Sequence, residues 1–126
     1  MTGRFSDERR RKRAERKGRF AELLVRLAYS ASFYEILETR FRAPGGEIDL
    51  IARKGRLLAF VEVKLRKDVD AAILAVTPAS QRRIERAASS YLSLRPHFGE
   101  FAVRYDIAAV SGLRVALLKD AWREPA

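Results

Sequence analysis

Two short stretches limit what this chain can fold into: Gly46-Glu47-Ile48-Asp49-Leu50-Ile51 and Phe60-Val61-Glu62-Val63-Lys64. Both alternate apolar with charged residues at period two, the pattern of half-buried strands. The polar break between them, Arg53-Lys54-Gly55-Arg56, holds a glycine that can take a positive φ. A hairpin with Lys54 and Gly55 at its tip pairs Glu47 with Glu62 and Asp49 with Phe60. Strand alternation then sets Glu47, Asp49, Glu62 and Lys64 on one face, with Asp49 and Glu62 as diagonal neighbours able to reach one cation. Three carboxylates beside one lysine repel one another unless a metal ion or a shared proton relieves them.

Strands with charged outer faces are ordinary, and Glu-Val-Lys alone carries little weight. The preceding aspartate changes that. An aspartate followed after a hairpin by Glu-x-Lys resembles metal-dependent nucleases of the PD-(D/E)-x-K type. There, carboxylates hold Mg²⁺ through oxygen, and the lysine stabilises charge or assists the attacking water.

The rest of the composition narrows the choice. With 126 residues, 48% of them hydrophobic and 10% aromatic, the chain suits one globular α/β core. It has no cysteine and a single histidine, His97, which excludes disulfides, thiolate sites and multi-histidine zinc sites. A bound metal would have to be held by oxygen. No apolar run approaches the ~18 residues of a membrane span, and the charged N-terminus lacks an apolar signal core. A cytoplasmic protein that does not enter a membrane is expected. The net charge of +10 calls for a polyanionic partner, nucleic acid first.

Residues 1–17 read as a basic arm, flexible or loosely helical, preceding a single domain over 18–126. Eight basic residues against three acidic ones give the arm half of the chain's net charge. A first helix is expected over 18–30, with Phe20, Ala21, Leu24, Val25, Leu27 and Ala28 as its apolar stripe and Glu22 at the edge. Phe33 to Arg40 reads as an edge strand, and Ala43-Pro44-Gly45-Gly46 as a bend where the glycines admit close approach of a ligand or merely turn the chain. Residues 69–76 lack periodicity and read as loop. Thr77-Pro78 starts a helix reaching about Leu94 that buries Ile84, Ala87, Ala88, Tyr91 and Leu92. Its other face carries Gln81, Arg82, Arg83 and Arg86, suited to a phosphate backbone, as are Arg66 and Lys67 after the Glu-x-Lys strand. Phe101 to Val110 continues the sheet and Leu113 to Leu118 closes it. Asp106 reads as the charge partner of Arg104 or Arg114, and Trp122 as cover for a core edge.

Taken together, Gly18-Arg19-Phe20-Ala21-Glu22, Gly46 to Ile51, Phe60 to Lys64, Gln81-Arg82-Arg83-Ile84, Ala87-Ala88 and Arg104-Tyr105-Asp106 resemble the YraN family of small bacterial proteins, over roughly residues 18–110. The resemblance implies a restriction-endonuclease-like fold, a central mixed β-sheet flanked by helices, similar to archaeal Holliday-junction resolvases. It implies a Mg²⁺- or Mn²⁺-dependent endonuclease acting on DNA, branched or flapped substrates included. Asp49, Glu62 and Val63 would be the metal ligands, and Lys64 would be the catalytic lysine. Glu22 would match the carboxylate of the first helix and Gln81 the polar residue of the helix after the site. Glu47 belongs to the motif without an assigned role. Ser80 departs from it, standing where many members of that family carry lysine. The alternatives are a nucleic-acid-binding module of the same fold with little turnover, and a basic protein that docks an acidic partner.

Overall fold

A computed structural model describes residues 3–126. In chain order they form α1 (Gly3–Ala31), β1 (Glu35–Ala43), β2 (Gly46–Lys54), β3 (Leu57–Leu65), α2 (Val69–Leu74), α3 (Pro78–Ser93), β4 (Ala102–Ser111) and β5 (Arg114–Trp122), with a 3₁₀ turn at Pro96–Phe98 before β4. The strands lie side by side in sequence order. Every neighbouring pair is antiparallel except β3 and β4. A parallel pair needs a long crossover, and α2, α3 and the 3₁₀ turn supply it. The result is an α/β fold, a five-stranded mixed sheet with helices on both faces, in agreement with a restriction-endonuclease-like arrangement.

The helices divide the core in two. Ala21, Val25 and Tyr29 of α1 cover Leu50, Ala52, Ala59, Val61, Ala108 and Val110 on one face of the sheet. On the other, Ile84, Ala87, Ala88 and Tyr91 of α3 cover Ile48, Ile51, Leu58, Phe60 and Ile107. The i, i+3, i+4, i+7 spacing of the α3 residues is the expected helical stripe. Thr77 caps α3 by accepting from the Ser80 N–H at 3.2 Å, and Pro78 occupies its first position. The Ser80 hydroxyl shares a hydrogen bond with Thr77 Oγ1 and accepts from Arg83, so this departure from the family pattern is part of a helix start.

Four features differ from the expectations. The helix begins at Gly3, so the basic arm and the first helix are one continuous element. Residues 69–74 form α2 rather than loop, because the Asp68 side chain caps the Ala71 N–H at 2.8 Å; six residues are too few to show a period. The apolar stripe of α1 is wider than the face it buries, leaving Phe20 and Leu27 exposed. Finally, β5 runs to Trp122, whose ring stacks on Tyr105 at 5.1 Å and whose Nε1 donates to Glu85 at 3.0 Å.

The β1–β2 turn is pinned by close packing. A Cβ on Gly46 would lie 2.2 Å from the Arg83 carbonyl oxygen and 3.3 Å from the Ala87 Cβ. This glycine admits helix α3, not a ligand. Gly46→Ala must push α3 off the sheet, and overpacking against rigid backbone costs about 3 kcal/mol or more. Urea denaturation should show that loss in the midpoint with little change in the slope.

Candidate functional site

The β2–β3 hairpin differs from the expected register by two residues. Lys54 pairs with Leu57, so Gly55 and Arg56 form the tip, with Gly55 at φ 60°. That positive φ is the physical reason: the first position of such a turn takes a glycine, and the hairpin closes one residue later than expected. The last ladder pair towards the site is Leu50 with Val61, and Asp49 comes next on β2 as Glu62 does on β3. The two carboxyls are therefore opposite rather than diagonal. They are close enough for Asp49 to act on Glu62 through its hydrogen-bonding oxygens and its charge.

The expected single charged face also changes. Ile48 and Ile51 pack towards α3 while Leu50 packs towards α1. Asp49 and Leu50, consecutive residues, both line a cavity under α1, which a regular strand does not allow. The opposing strand has a matching irregularity. Thr39 and Arg40 line the same cavity, and Arg40 has φ 52°. Where the ladder stops, Asp49 takes its place: its Oδ2 accepts the Val63 N–H at 2.8 Å. Asp49 thus sits in the seam between β2 and β3, within reach of Glu62.

That seam fixes the electrostatics. Burial pushes the Glu62 carboxyl up to about 9, and the hydrogen bond and charge of Asp49 add to the rise, while Lys64 opposes it. This environment favours the protonated form of Glu62 at neutral pH. Glu47 is near enough to contribute repulsion, and its own carboxylate lies 3.7 Å from Arg42.

Glu22 lines the cavity with Asp49 and Val63, an open space of about 200 Å³, but its carboxylate accepts from Arg40 Nε at 2.8 Å. Arg40 escaped sequence reasoning. Its left-handed backbone and its pairing across the cavity leave no periodic signal. Arg19 and Arg26 from α1 line the same space. Among the described residues no three acidic side chains come together as a metal cage.

The remaining candidates fall in two groups. The stretch of α3 from Arg83 to Ala87 lies beside Gly46, at the site end of β2. There Arg83 and Arg86 are exposed, as are Arg66 and Lys67 after β3. Gln81 is half-buried and accepts from Arg82 at 3.3 Å; the structure gives it no hydrogen bond to the carboxylates. Arg82 turns inward, 2.9 Å from Glu85, with its Nε enclosed and unpartnered, so it is not on the open basic face. Asp106 is fully buried and holds Arg104 at 2.8 Å, as the sequence led one to expect. It also accepts from the Tyr29 hydroxyl and from the Asp120 N–H.

Residues 21–110 match the model of a family described as "Uncharacterised protein family UPF0102". The chain belongs to that family. Among UPF0102 relatives, a protein of Parvibaculum lavamentivorans is 44% identical over 111 residues, covering 87% of this chain and 84% of its own. One from Chelativorans sp. is 48% identical over 100 residues, 79% and 81% of the two chains. A third, from Paramagnetospirillum magneticum, is 42% identical over 115 residues, 87% and 89% of each. The UPF0102 match includes Glu22, Asp49, Glu62, Lys64 and Gln81 and leaves out the whole basic arm over 1–17. No described helix is long and apolar enough to cross a membrane.

Proposed function

We propose that this UPF0102 protein is a Mg²⁺- or Mn²⁺-dependent endonuclease that hydrolyses phosphodiester bonds of DNA, in a cytoplasmic setting. The observation that carries the reading is the placement of Asp49 beside Glu62 and Lys64 in a seam where the β2–β3 ladder stops, with Asp49 Oδ2 held by the Val63 N–H at 2.8 Å. Two carboxyls held together at the cost of protonating one are a site prepared for a dication, which removes the repulsion when the proton leaves.

The donors fit a hard cation. Asp49, Glu62 and the main-chain oxygen of Val63 are all oxygen ligands, and Mg²⁺ typically takes one or two carboxylates and fills its shell with water and substrate phosphate. A cage of three acidic side chains is not required. When bound, the cation supplies Lewis-acid charge at the phosphate and a water of lowered pKa. The chain's own residues do the rest. Asp49 is oriented by the Val63 N–H. Lys64, two residues after Glu62 on β3, offers positive charge where negative charge gathers in the transition state. Arg40 keeps Glu22 beside the cavity, ready to orient a water or the outer shell of the cation. Arg66, Lys67, Arg83 and Arg86 hold the phosphate backbone on either side, without sequence preference.

A nucleic-acid-binding module with little turnover is the second reading, favoured by the capture of Glu22 by Arg40. Incubating linear, flapped and four-way DNA with wild type and Asp49→Asn, with and without Mn²⁺, separates the two. The nuclease reading expects cation-dependent cleavage by wild type and a loss of roughly a hundredfold or more in Asp49→Asn, the scale of losing one charge-stabilising group. Salt-dependent DNA binding with no cleavage of any substrate by wild type favours the module.

A further inference from the structure

The end of the sheet opposite the carboxylates carries an aromatic residue placed against its own local preference. Helix α1 ends in a Schellman motif: Tyr34 N–H donates to the Tyr29 carbonyl at 3.1 Å and Phe33 N–H to the Ser30 carbonyl at 3.0 Å. The residue that takes the left-handed backbone in this motif is normally glycine. Here it is Phe33, at φ 68° and 86% exposed. A bulky side chain at positive φ is strained, and an exposed phenyl ring recovers nothing from the core. Folding therefore does not account for it. The apolar contact that accompanies the motif is made by its neighbour, Tyr34, whose buried ring meets Tyr29 edge-on at 5.0 Å.

Two exposed lysines stand over the ring of Tyr34, the residue after Phe33. Lys54 Nζ and Lys119 Nζ lie 5.3 and 5.6 Å from the centre of the Tyr34 ring, one from β2 and one from β5. Neither forms an ion pair with a described residue. The nearby acids are taken: Asp106 by Arg104, Asp120 by Arg123, and Glu35 lies 4.0 Å from Arg53. An open phenyl ring at Phe33 and, over the adjacent Tyr34, two cations without an ion-pair partner among the described residues match the two components of single-stranded nucleic acid, a base to stack and phosphates to neutralise. Lys54 lies five residues along β2 from Asp49, roughly 17 Å at strand rise, and Tyr34 belongs to the face of the sheet that α1 covers, as does the cavity beside Asp49.

We propose that Phe33, Lys54 and Lys119 form a second binding site, for a single-stranded nucleic-acid segment that extends from the hydrolytic seam, with one base stacked on Phe33 and the backbone phosphates on the two lysines. The site rests on the reading of the protein as a nucleic-acid enzyme and deepens it: the substrate is a junction or flap with an unpaired strand rather than plain duplex.

The test uses the full chain without divalent cation, so that binding is read without cleavage, by anisotropy of a labelled oligo-dT strand and of a labelled duplex. Phe33→Gly should weaken oligo-dT binding by roughly 5- to 100-fold, the range for one stacked base, and leave duplex binding unchanged. Its melting temperature should stay level or rise, since glycine suits the left-handed position. A loss of affinity in this variant is therefore not a loss of fold. Phe33→Trp should bind oligo-dT as well as wild type. The double variant Lys54→Ala with Lys119→Ala should lower the salt slope on single strands by roughly 1.4, about 0.7 for each phosphate contact. Unchanged oligo-dT affinity in Phe33→Gly overturns the proposal, as does an equal loss on duplex. Loss of binding to poly-glutamate with oligo-dT binding retained overturns it in favour of an acidic protein partner. Wild type that binds no nucleic acid brings down the nuclease reading as well, whereas wild type that cleaves DNA beside an indifferent Phe33→Gly brings down this site alone.

Discussion

Lys64→Ala should cleave DNA at least roughly a hundredfold more slowly than wild type while binding it within a few-fold. Lys64 follows Glu62 by two positions on β3, a strand held in an unbroken ladder with β4, where Lys64 pairs with Ala109. Its ammonium contributes to the charge around Glu62. A cation there interacts more strongly with the redistributed charge of the transition state than with the bound phosphate, so its loss lowers the rate and spares affinity. Removal of one such electrostatic group costs on the order of 10²–10³ in rate. Lys67→Ala is the control: an exposed cation past the end of β3, it should weaken binding mildly and leave single-turnover cleavage intact. If Lys64→Ala cuts as fast as wild type in Mn²⁺, the hydrolysis does not belong to this seam.

Glu62→Gln should make the cation-free protein more stable at pH 8 and abolish its response to Mn²⁺. Burial and the nearby Asp49 push the folded Glu62 carboxyl up to about 9, far above the ordinary glutamate range of about 4.3. Between these values the folded state holds a proton that the unfolded state has released. Stability therefore falls as pH rises through that window, and is fully retained only below it. Glutamine keeps the shape and a hydrogen-bond donor for Asp49 but does not titrate. The variant should therefore melt with wild type near pH 4.5 and increasingly above it as pH rises to 8, by more than the roughly 5 °C that about 1 kcal/mol produces in a domain of this size. A dication needs Glu62 ionised, so wild-type affinity for Mn²⁺ should climb by about tenfold per pH unit up to that pKa. Calorimetric titrations and thermal melts across pH 5 to 9 check both arms. Parallel melting curves for the two proteins at every pH would refute the protonated Glu62.

Much of the arrangement was legible from local pattern. Alternation in Gly46 to Ile51 and Phe60 to Lys64 identified two strands of the sheet, and Thr77-Pro78 with the Ile84, Ala87, Ala88, Tyr91 spacing identified α3. These signals are local, each depending on the period of one element, so the chain shows them without its neighbours. Asp106 with Arg104 was readable for a related reason: two residues apart on one strand, they share a face. Residues 69–74 were not readable, because a six-residue helix held by one cap gives no period.

What the sequence determined by itself is the inventory of the candidate site: an aspartate and a Glu-x-Lys on adjacent strands, oxygen donors without cysteine, and a strongly basic chain. What only the tertiary structure decided is how that inventory meets. A glycine at φ 60° moved the hairpin tip to Gly55 and Arg56, and the irregularity at Arg40 and Asp49 turned Asp49 into the seam. Glu22 was captured by Arg40, eighteen residues away along the chain. Arg82 was drawn towards Glu85, which also binds Trp122 from the far end of the chain. Period-two alternation assumes that strands stay regular and that side chains choose partners nearby. At the seam the backbone leaves the ladder to place a carboxylate, and long side chains answer to whichever opposite charge the fold brings within reach.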